Sequence, residues 1–140
     1  MSRAAMEQAL GQLPEPLGRR LAKSKPFLLE IAKEIHDDIL GILCAANYGH
    51  TAALVVTSGR IVEVGYTGAM QILPYSETSD ILFSPGKKKV FGGYNSSHLF
   101  VDRPGYAKLP YVLWEDDHEW NAKMGAVAEN AFQRYRLSNM

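Results

Sequence analysis

Between Ser24 and Asn47 the chain reads SKPFLLEIAKEIHDDILGILCAAN, the most regular apolar pattern in its 140 residues. Ser24 is suited to cap a helix, and Pro26 falls in the first turn, where a missing N–H does no harm. Apolar side chains recur at spacings of three and four, at Leu28, Ala32, Ile35, Ile39, Ile42 and Ala46. Asn47 and Gly49 are typical of a helix end. The pattern predicts one long amphipathic helix that packs on the core.

The sequence after this stretch predicts short strands followed by a closing helix. The predicted strands span residues 51–56, 60–66, 69–73, 81–83, 88–91, 98–101 and 111–114. Turn signals separate them at Ser58-Gly59, Pro85-Gly86, Gly92-Gly93 and Pro104-Gly105. From residue 116 the chain is again helical in pattern, and Asp116 with Glu119 has the spacing of a capping box. The apolar side of this helix is predicted to carry Trp120, Met124, Val127, Ala131 and Tyr135.

The first 25 residues are predicted to form an N-terminal arm. A short helix is expected over residues 3–12, and Pro14 and Pro16 prevent its continuation. Residues 26–140 are then a single α+β domain: the long helix, an antiparallel sheet with the order of a meander, and the C-terminal helix packed on that sheet.

Composition limits the classes of function. Fifteen basic and fifteen acidic residues balance, whereas a dedicated nucleic-acid-binding domain carries a basic excess. A net charge near zero favours association with other protein chains. No secretory leader is recognisable, and no apolar run approaches the about 18 residues of a membrane span. Membrane contact is therefore not expected, and the single cysteine, Cys44, suits a reducing compartment.

The densest polar and aromatic passage is GKKKVFGGYNSSHLF, residues 86–100. Its glycines lack the spacing of a phosphate-binding loop, and no helix follows. Lysines beside aromatic residues leave incidental DNA contact open as an alternative, with Arg19, Arg20, Lys23 and Lys25 as further basic residues. The passage is predicted to be a contact surface, for a neighbouring subunit first and nucleic acid second. Its predicted contact residues are Lys87, Lys88, Lys89, Phe91, Tyr94, Asn95 and His98.

Catalytic and metal chemistry have weaker signals in this sequence. The histidines are His36, His50, His98 and His118, and no two have the spacing that places metal ligands on one helical face. Cys44 is predicted to be buried packing. No catalytic residue, metal site or cofactor is predicted, although an enzyme that uses His98 or His118 with Asp117 or Glu119 stays open as an alternative.

Three segments carry a resemblance to a known type of protein: FLLEIAKEIHDDIL, IVEVGYTG and LPYVLWE. In these the chain resembles neck, head–tail connector and tail-completion proteins of tailed phages. The resemblance implies a ring-forming subunit without catalytic residues, which contacts copies of itself and other virion proteins.

The sequence therefore predicts a non-enzymatic structural or assembly protein that forms a homo-oligomeric ring in a phage neck or tail. It would be located in the virion or the host cytoplasm. The alternative from another class is a small bacterial or phage regulatory binding protein of the immunity or anti-defence type.

Overall fold

The chain folds into two antiparallel sheets, a group of short N-terminal helices and one long C-terminal helix. The structure, a computed structural model, describes residues 2–46, 51–68, 70–106, 110–115 and 117–139. The helices are α1 (Ser2–Gly11), α2 (Leu17–Arg20), α3 (Lys25–Ile31) and α4 (His118–Ser138). The strands are β1 (Ile39–Cys44), β2 (Thr51–Thr57), β3 (Arg60–Gly65), β4 (Met70–Pro74), β5 (Asp80–Ser84), β6 (His98–Asp102) and β7 (Pro110–Val112). The predicted α+β class is confirmed.

The strands form two meanders where the sequence predicted one. The first sheet has the order β1-β2-β3-β4 and the second the order β5-β6-β7. Six of the predicted strands are present, with ends that differ by no more than two residues. The strand predicted over residues 88–91 is wrong, because this segment contributes only an isolated bridge between Lys88 and Tyr94.

The prediction of one long helix after Ser24 is wrong. The helix α3 ends at Ile31, a 3₁₀ turn follows over Ala32–Glu34, and Ile35 is extended, so that the chain enters the strand β1. Ser24 stands at the N-cap position, but its side chain makes no capping hydrogen bond. The physical reason lies in residues 39–44, ILGILC: a short apolar run suits a buried strand as well as a buried helix, and its β-branched residues favour the strand.

The two faces of strand β1 pack against different helices, α4 on one side and α1 on the other. Gly41 faces α4, since a Cβ added at this position would overlap the Met124 side chain. Ile42, on the opposite face, is fully buried, and α1 packs against the same strand. Leu54, Val55 and the other central positions of β2 are also inaccessible. Strands β1 and β2 of the first sheet are therefore largely buried, whereas the edge strand β4 is mostly exposed.

The open edge of β1 is bonded to the second sheet and to α4. The Trp120 indole donates to the Ile42 carbonyl at 3.0 Å, and the Trp114 indole donates to the Ala45 carbonyl at 2.5 Å. The Trp114 backbone N–H donates to the Cys44 carbonyl at 3.1 Å. Ala45 forms a bridge with Leu113. The two sheets are joined at this edge.

The N-terminal residues pack onto the body of the protein. The short helix predicted over residues 3–12 is confirmed as α1, and the chain leaves it before Pro14, as expected. Met6 and Leu17 are fully buried, and Leu13 and Leu21 are nearly so. The segment predicted to be an arm thus contributes its own apolar side chains to the core.

A polar cluster fixes the turn between β2 and β3. Arg60 donates to Asp37 through Nε at 2.8 Å and through Nη2 at 3.4 Å. The buried Thr57 hydroxyl lies 3.2 Å from Asp37 Oδ2 and accepts the Arg60 N–H at 3.0 Å. The Tyr75 hydroxyl donates to the Thr57 carbonyl at 2.8 Å. The cluster ties the residues before β1 to this turn.

The C-terminal helix is confirmed, with two changes in detail. Its N-cap is Asp117, whose carboxylate accepts the Trp120 N–H at 2.9 Å, and Asp116 lies outside the described residues. Its buried side includes Ala128 and Phe132, whereas the predicted Val127 and Tyr135 are half-buried. The buried stripe is therefore rotated by about one residue from the predicted one.

The close packing between α4 and β5 predicts that a larger side chain at position 125 will destabilise the fold. A Cβ at Gly125 would overlap the Phe83 ring. We expect Gly125→Leu to lower the free energy of unfolding by about 1–3 kcal/mol, the usual cost of overpacking. Ala126→Leu, at the exposed neighbouring position, should change it by no more than about 0.5 kcal/mol. Urea denaturation measures both, and equal effects would contradict this packing.

One buried and one half-buried tyrosine, Tyr75 and Tyr111, predict a loss of stability at alkaline pH. Burial raises the pKa of Tyr75, and the nearby Asp37 raises it further. Burial and the 2.7 Å hydrogen bond to Glu63 raise the pKa of Tyr111. An unfolded tyrosine ionises near pH 10, so the stabilisation is complete below about pH 10 and is lost as the pH rises above it.

The measurement is the free energy of unfolding between pH 8 and pH 11.5. We expect a steep decline in the wild type above pH 10 and a shallower decline in Tyr75→Phe and in Tyr111→Phe. Tyr106→Phe, at a position that is 67% exposed, is the matched control and should follow the wild type. Absorbance at 295 nm should show these two tyrosines ionising only as the chain unfolds; ionisation near pH 10 in the folded protein would refute the assignment.

Candidate functional site

The lysine-rich passage forms a projection between the paired strands β5 and β6. We refer to residues 86–97 as the finger. Ser84 and His98 are paired across the sheet on either side of it, so the chain leaves the sheet and returns at the same place. The finger is therefore an excursion from a β-hairpin.

Backbone hydrogen bonds give the finger a defined shape. The Asn95 N–H donates to the Lys87 carbonyl at 2.8 Å, and the Lys89 N–H donates to the Gly93 carbonyl at 2.9 Å. Gly92 and Gly93 have φ angles of 95° and 73°. Side chains other than glycine adopt such angles at a cost, so these two residues allow the reversal at the tip.

We refer to the place where Gly86 lies against Asn95 and Ser97 as the neck of the finger. The neck is narrow because Gly86 lacks a side chain. A Cβ at Gly86 would overlap the Asn95 carbonyl group on the returning segment. The Gly86 N–H donates to the Ser97 hydroxyl at 3.0 Å, and Ser97 is buried. The Ser97 carbonyl accepts the Leu113 N–H at 2.9 Å. The neck is thereby connected to the segment that joins the two sheets.

Two side-chain contacts hold the finger against the first residues of α4. The Tyr94 ring stacks on the His118 ring, with centroids 3.8 Å apart and planes 9° from parallel. The Ser96 hydroxyl donates to Glu115 Oε1 at 2.7 Å. The returning half of the finger is therefore fixed to residues 115–118 at two points.

The tip of the finger combines apolar exposure with positive charge. Val90 is 92% exposed and Phe91 is 100% exposed. Lys87, Lys88 and Lys89 precede them and are also exposed. Residues 86–97 include no aspartate or glutamate. A large apolar side chain held in water on an ordered support, with lysines around it, has the chemistry of an interaction surface.

The structure places six of the seven predicted contact residues in the finger. Lys87, Lys88, Lys89, Phe91, Tyr94 and Asn95 lie within it, and each is exposed. His98 instead lies in β6, half-buried, with its ring 6.3 Å from the Phe100 ring. Tyr94 faces α4 through its stack on His118, so the tip consists of the lysines with Val90 and Phe91.

Sequence reasoning missed Val90, Gly86 and Ser97. Val90 is a single aliphatic residue within a predicted strand, and its exposure depends on the tip being a turn. The role of Gly86 depends on how closely Asn95 approaches it, and no local pattern encodes that distance. The role of Ser97 depends on the same close approach, because its hydroxyl accepts the Gly86 N–H.

Two residues of the catalytic alternative, Asp117 and His118, have structural partners. Asp117 caps α4, and His118 stacks on Tyr94. Glu119 and His36 are exposed, and His50 lies outside the described residues. Cys44 is buried, as predicted, although in a strand. Within the described ranges, no three His, Cys, Asp or Glu side chains are grouped closely enough to hold a metal ion.

A second aromatic contact lies on the segment next to the finger. The Arg20 guanidinium carbon is 3.6 Å from the centroid of the Trp114 ring. Trp114 directly precedes Glu115, the acceptor of the Ser96 hydroxyl. One of the basic residues that the sequence associated with the lysines is thus held on the segment that supports the finger.

Comparisons with family models, curated proteins and solved structures returned no match for this chain. Among the residues that the structure describes, none of the helices is long and apolar enough to cross a membrane.

The neck predicts that Gly86→Ala will loosen the finger. The added methyl group cannot coexist with the Asn95 carbonyl, so the hydrogen bonds above the neck should open. We expect the amide hydrogens of Lys89 and Asn95 to exchange at least tenfold faster, by NMR-detected hydrogen exchange. Gly11→Ala is the matched control because an added Cβ meets nothing within 4 Å there. Unchanged exchange in Gly86→Ala would show that the neck does not determine the shape of the finger.

Proposed function

We propose that this chain is a non-enzymatic assembly protein that forms a homo-oligomeric ring through the finger. The observation that carries the proposal is the complete exposure of Phe91, beside Val90, on a hydrogen-bonded and anchored support. Burying such a side chain stabilises a folded protein or complex by about 1.5–3 kcal/mol. Phe91 can gain this free energy when a partner covers it.

The fixed base of the finger favours binding. A segment already held in one conformation loses little entropy when a partner docks on it. The Tyr94–His118 stack and the Ser96–Glu115 hydrogen bond hold the base before any partner arrives. The three lysines keep the apolar tip hydrated and oppose contact between two fingers, since like charges repel.

The neutral charge and the resemblance to phage proteins support the type of assembly. A chain with fifteen basic and fifteen acidic residues lacks the repulsion that keeps copies apart. The segments similar to neck, connector and tail-completion proteins favour a ring in a phage neck or tail, with other virion proteins as further partners. Its place would be the virion or the host cytoplasm, and DNA contact through the lysines would be incidental.

A second candidate function is favoured by the charge of the finger. A projection with three lysines, no carboxylate and a phenylalanine at its tip suits insertion into an acidic cleft. This is the chemistry of a small regulatory protein that blocks a partner, of the immunity or anti-defence type. A pull-down that recovers an enzyme target rather than copies of the chain or virion proteins would favour this candidate.

The test is the mass of the purified protein by size-exclusion chromatography with light scattering. We expect the wild type to elute as a multiple of the chain mass. The variant with Val90→Ser and Phe91→Ser should dissociate at least tenfold more readily, because about 1.4 kcal/mol of lost apolar burial corresponds to a factor of ten. Lys87→Glu, Lys88→Glu and Lys89→Glu together should also weaken assembly and make it depend differently on salt.

Leu137→Ser is the matched control, since Leu137 is 71% exposed in the last turn of α4, away from the finger in sequence. It should leave the mass unchanged. A wild type that stays a monomer at every concentration, and that enters no larger particle when virion proteins are added, would refute the proposal.

A further inference from the structure

We propose that strand β4 pairs with the β4 strand of a second copy, antiparallel and about a two-fold axis at Gln71. Two four-stranded sheets would then join into one continuous sheet. This contact does not involve the finger, so it goes beyond the assembly function proposed above. It follows from the backbone, the side chains and the charge of β4.

The hydrogen bonds between β3 and β4 identify the groups of β4 that face outward. The Tyr75 N–H donates to the Gly59 carbonyl at 3.0 Å, at the position adjoining the paired residues of β3 and β4. Bonded and non-bonded pairs alternate in an antiparallel ladder, so the odd-numbered residues of β4 bond to β3. The N–H and carbonyl groups of Met70 and Ile72 therefore point away from β3.

This outer side of β4 is an open edge. Pro74, at its end, has no N–H, and its carbonyl accepts the Thr78 hydroxyl at 2.8 Å. In the part of the chain that the structure describes, no group hydrogen-bonds to the outer side of Met70 or Ile72. The opposite edge of the sheet, at β1, is instead closed by two tryptophan indoles. The open edge thus offers two donors and two acceptors to an extended strand.

Strand β4 lacks the features that usually protect an edge strand from pairing. Such edges carry charged residues, prolines or bulges. Residues 70–74, MQILP, include no charged residue and have their proline at the end. Their register with β3 has no shift, whereas the β1–β2 and β2–β3 pairs each have one. Met70 and Ile72 are exposed on one face of the strand.

A second copy of β4 fits this edge in one register. With Gln71 on the two-fold axis, Met70 of each copy lies opposite Ile72 of the other, and each such pair can exchange two hydrogen bonds. The exposed apolar side chains then lie together, and no like charges are opposed. A shift by two residues would place the Met70 carbonyl opposite Pro74, which has no donor. The edge is therefore complementary to itself.

A disulfide between two copies tests the register directly. The two Gln71 residues would be opposed at a non-hydrogen-bonded position, with Cα atoms about 4.5 Å apart, a separation that a disulfide spans. We expect Gln71→Cys to form a covalent dimer under mild oxidation, on a non-reducing gel and by mass spectrometry. Ser76→Cys, at an exposed position beyond β4, is the matched control and should stay unlinked. Cys44 is buried.

Ile72→Pro tests the backbone contact. The substitution removes an outward N–H but no bond to β3, so the fold should tolerate it. We expect the variant to dissociate about tenfold more readily than the wild type by analytical ultracentrifugation, and to lose the Gln71→Cys disulfide. Ile72→Val keeps the N–H and should associate like the wild type. Circular dichroism verifies folding, and the disulfide result decides if Ile72→Pro is unfolded. Equal dissociation of folded Ile72→Pro and wild type would overturn the pairing.

The outcomes separate this inference from the proposed function. The variant with Val90→Ser and Phe91→Ser should dissociate into dimers by light scattering, and adding Ile72→Pro to it should give monomers. A wild-type dimer that responds to Ile72→Pro but not to the finger variant would support the pairing and refute assembly through the finger. An oligomer that the finger variant converts to monomers, with no Gln71→Cys disulfide, would overturn the pairing and leave the assembly function standing. A monomeric wild type with no disulfide would refute both and leave the edge to a strand of another protein.

Discussion

The open edge of β1 is the position on which the other layers depend. A strand edge buried without partners would leave carbonyl groups unsatisfied at a cost of about 1–3 kcal/mol each. Here the Trp120 and Trp114 indoles donate to the Ile42 and Ala45 carbonyls, and the Trp114 backbone donates to the Cys44 carbonyl. These bonds fix the start of α4 and the segment after β7 on the first sheet. The two sheets thereby share one core.

The same contacts connect the core to the finger. Leu113, next to Trp114, donates to the Ser97 carbonyl at the neck of the finger, and Glu115 accepts the Ser96 hydroxyl. His118, two residues before Trp120, stacks on Tyr94. The finger is therefore supported by Glu115 and His118, and the nearby Trp114 and Trp120 are hydrogen-bonded to the edge of the first sheet. This arrangement is common for functional loops, in which a rigid scaffold positions a variable segment.

The sequence predicted burial better than it predicted the elements. Leu28, Ile35 and Ile42 were assigned to one helical stripe, and all three are buried, yet Ile42 lies in a strand. The spacing of apolar residues indicates which side chains are buried. Whether residues 39–44 form a strand or a helix depends on their pairing with β2, which is encoded elsewhere in the chain. At the site, the lysines and Phe91 were predicted as contact residues and lie in the finger. The neck could not be predicted, because the approach of Asn95 to Gly86 arises only after folding.

The pairing of Ser84 with His98 has a consequence for how this surface can change. Directly opposed residues of an antiparallel pair lie only about 4.5–5.5 Å apart, a gap that a two-residue turn spans. To the sheet, the whole finger is equivalent to such a turn. Its length and chemistry can therefore vary while β5 and β6 keep their register, and the finger is a replaceable module on a constant frame. Evolution or design could exchange the chemistry of the tip at that one insertion point.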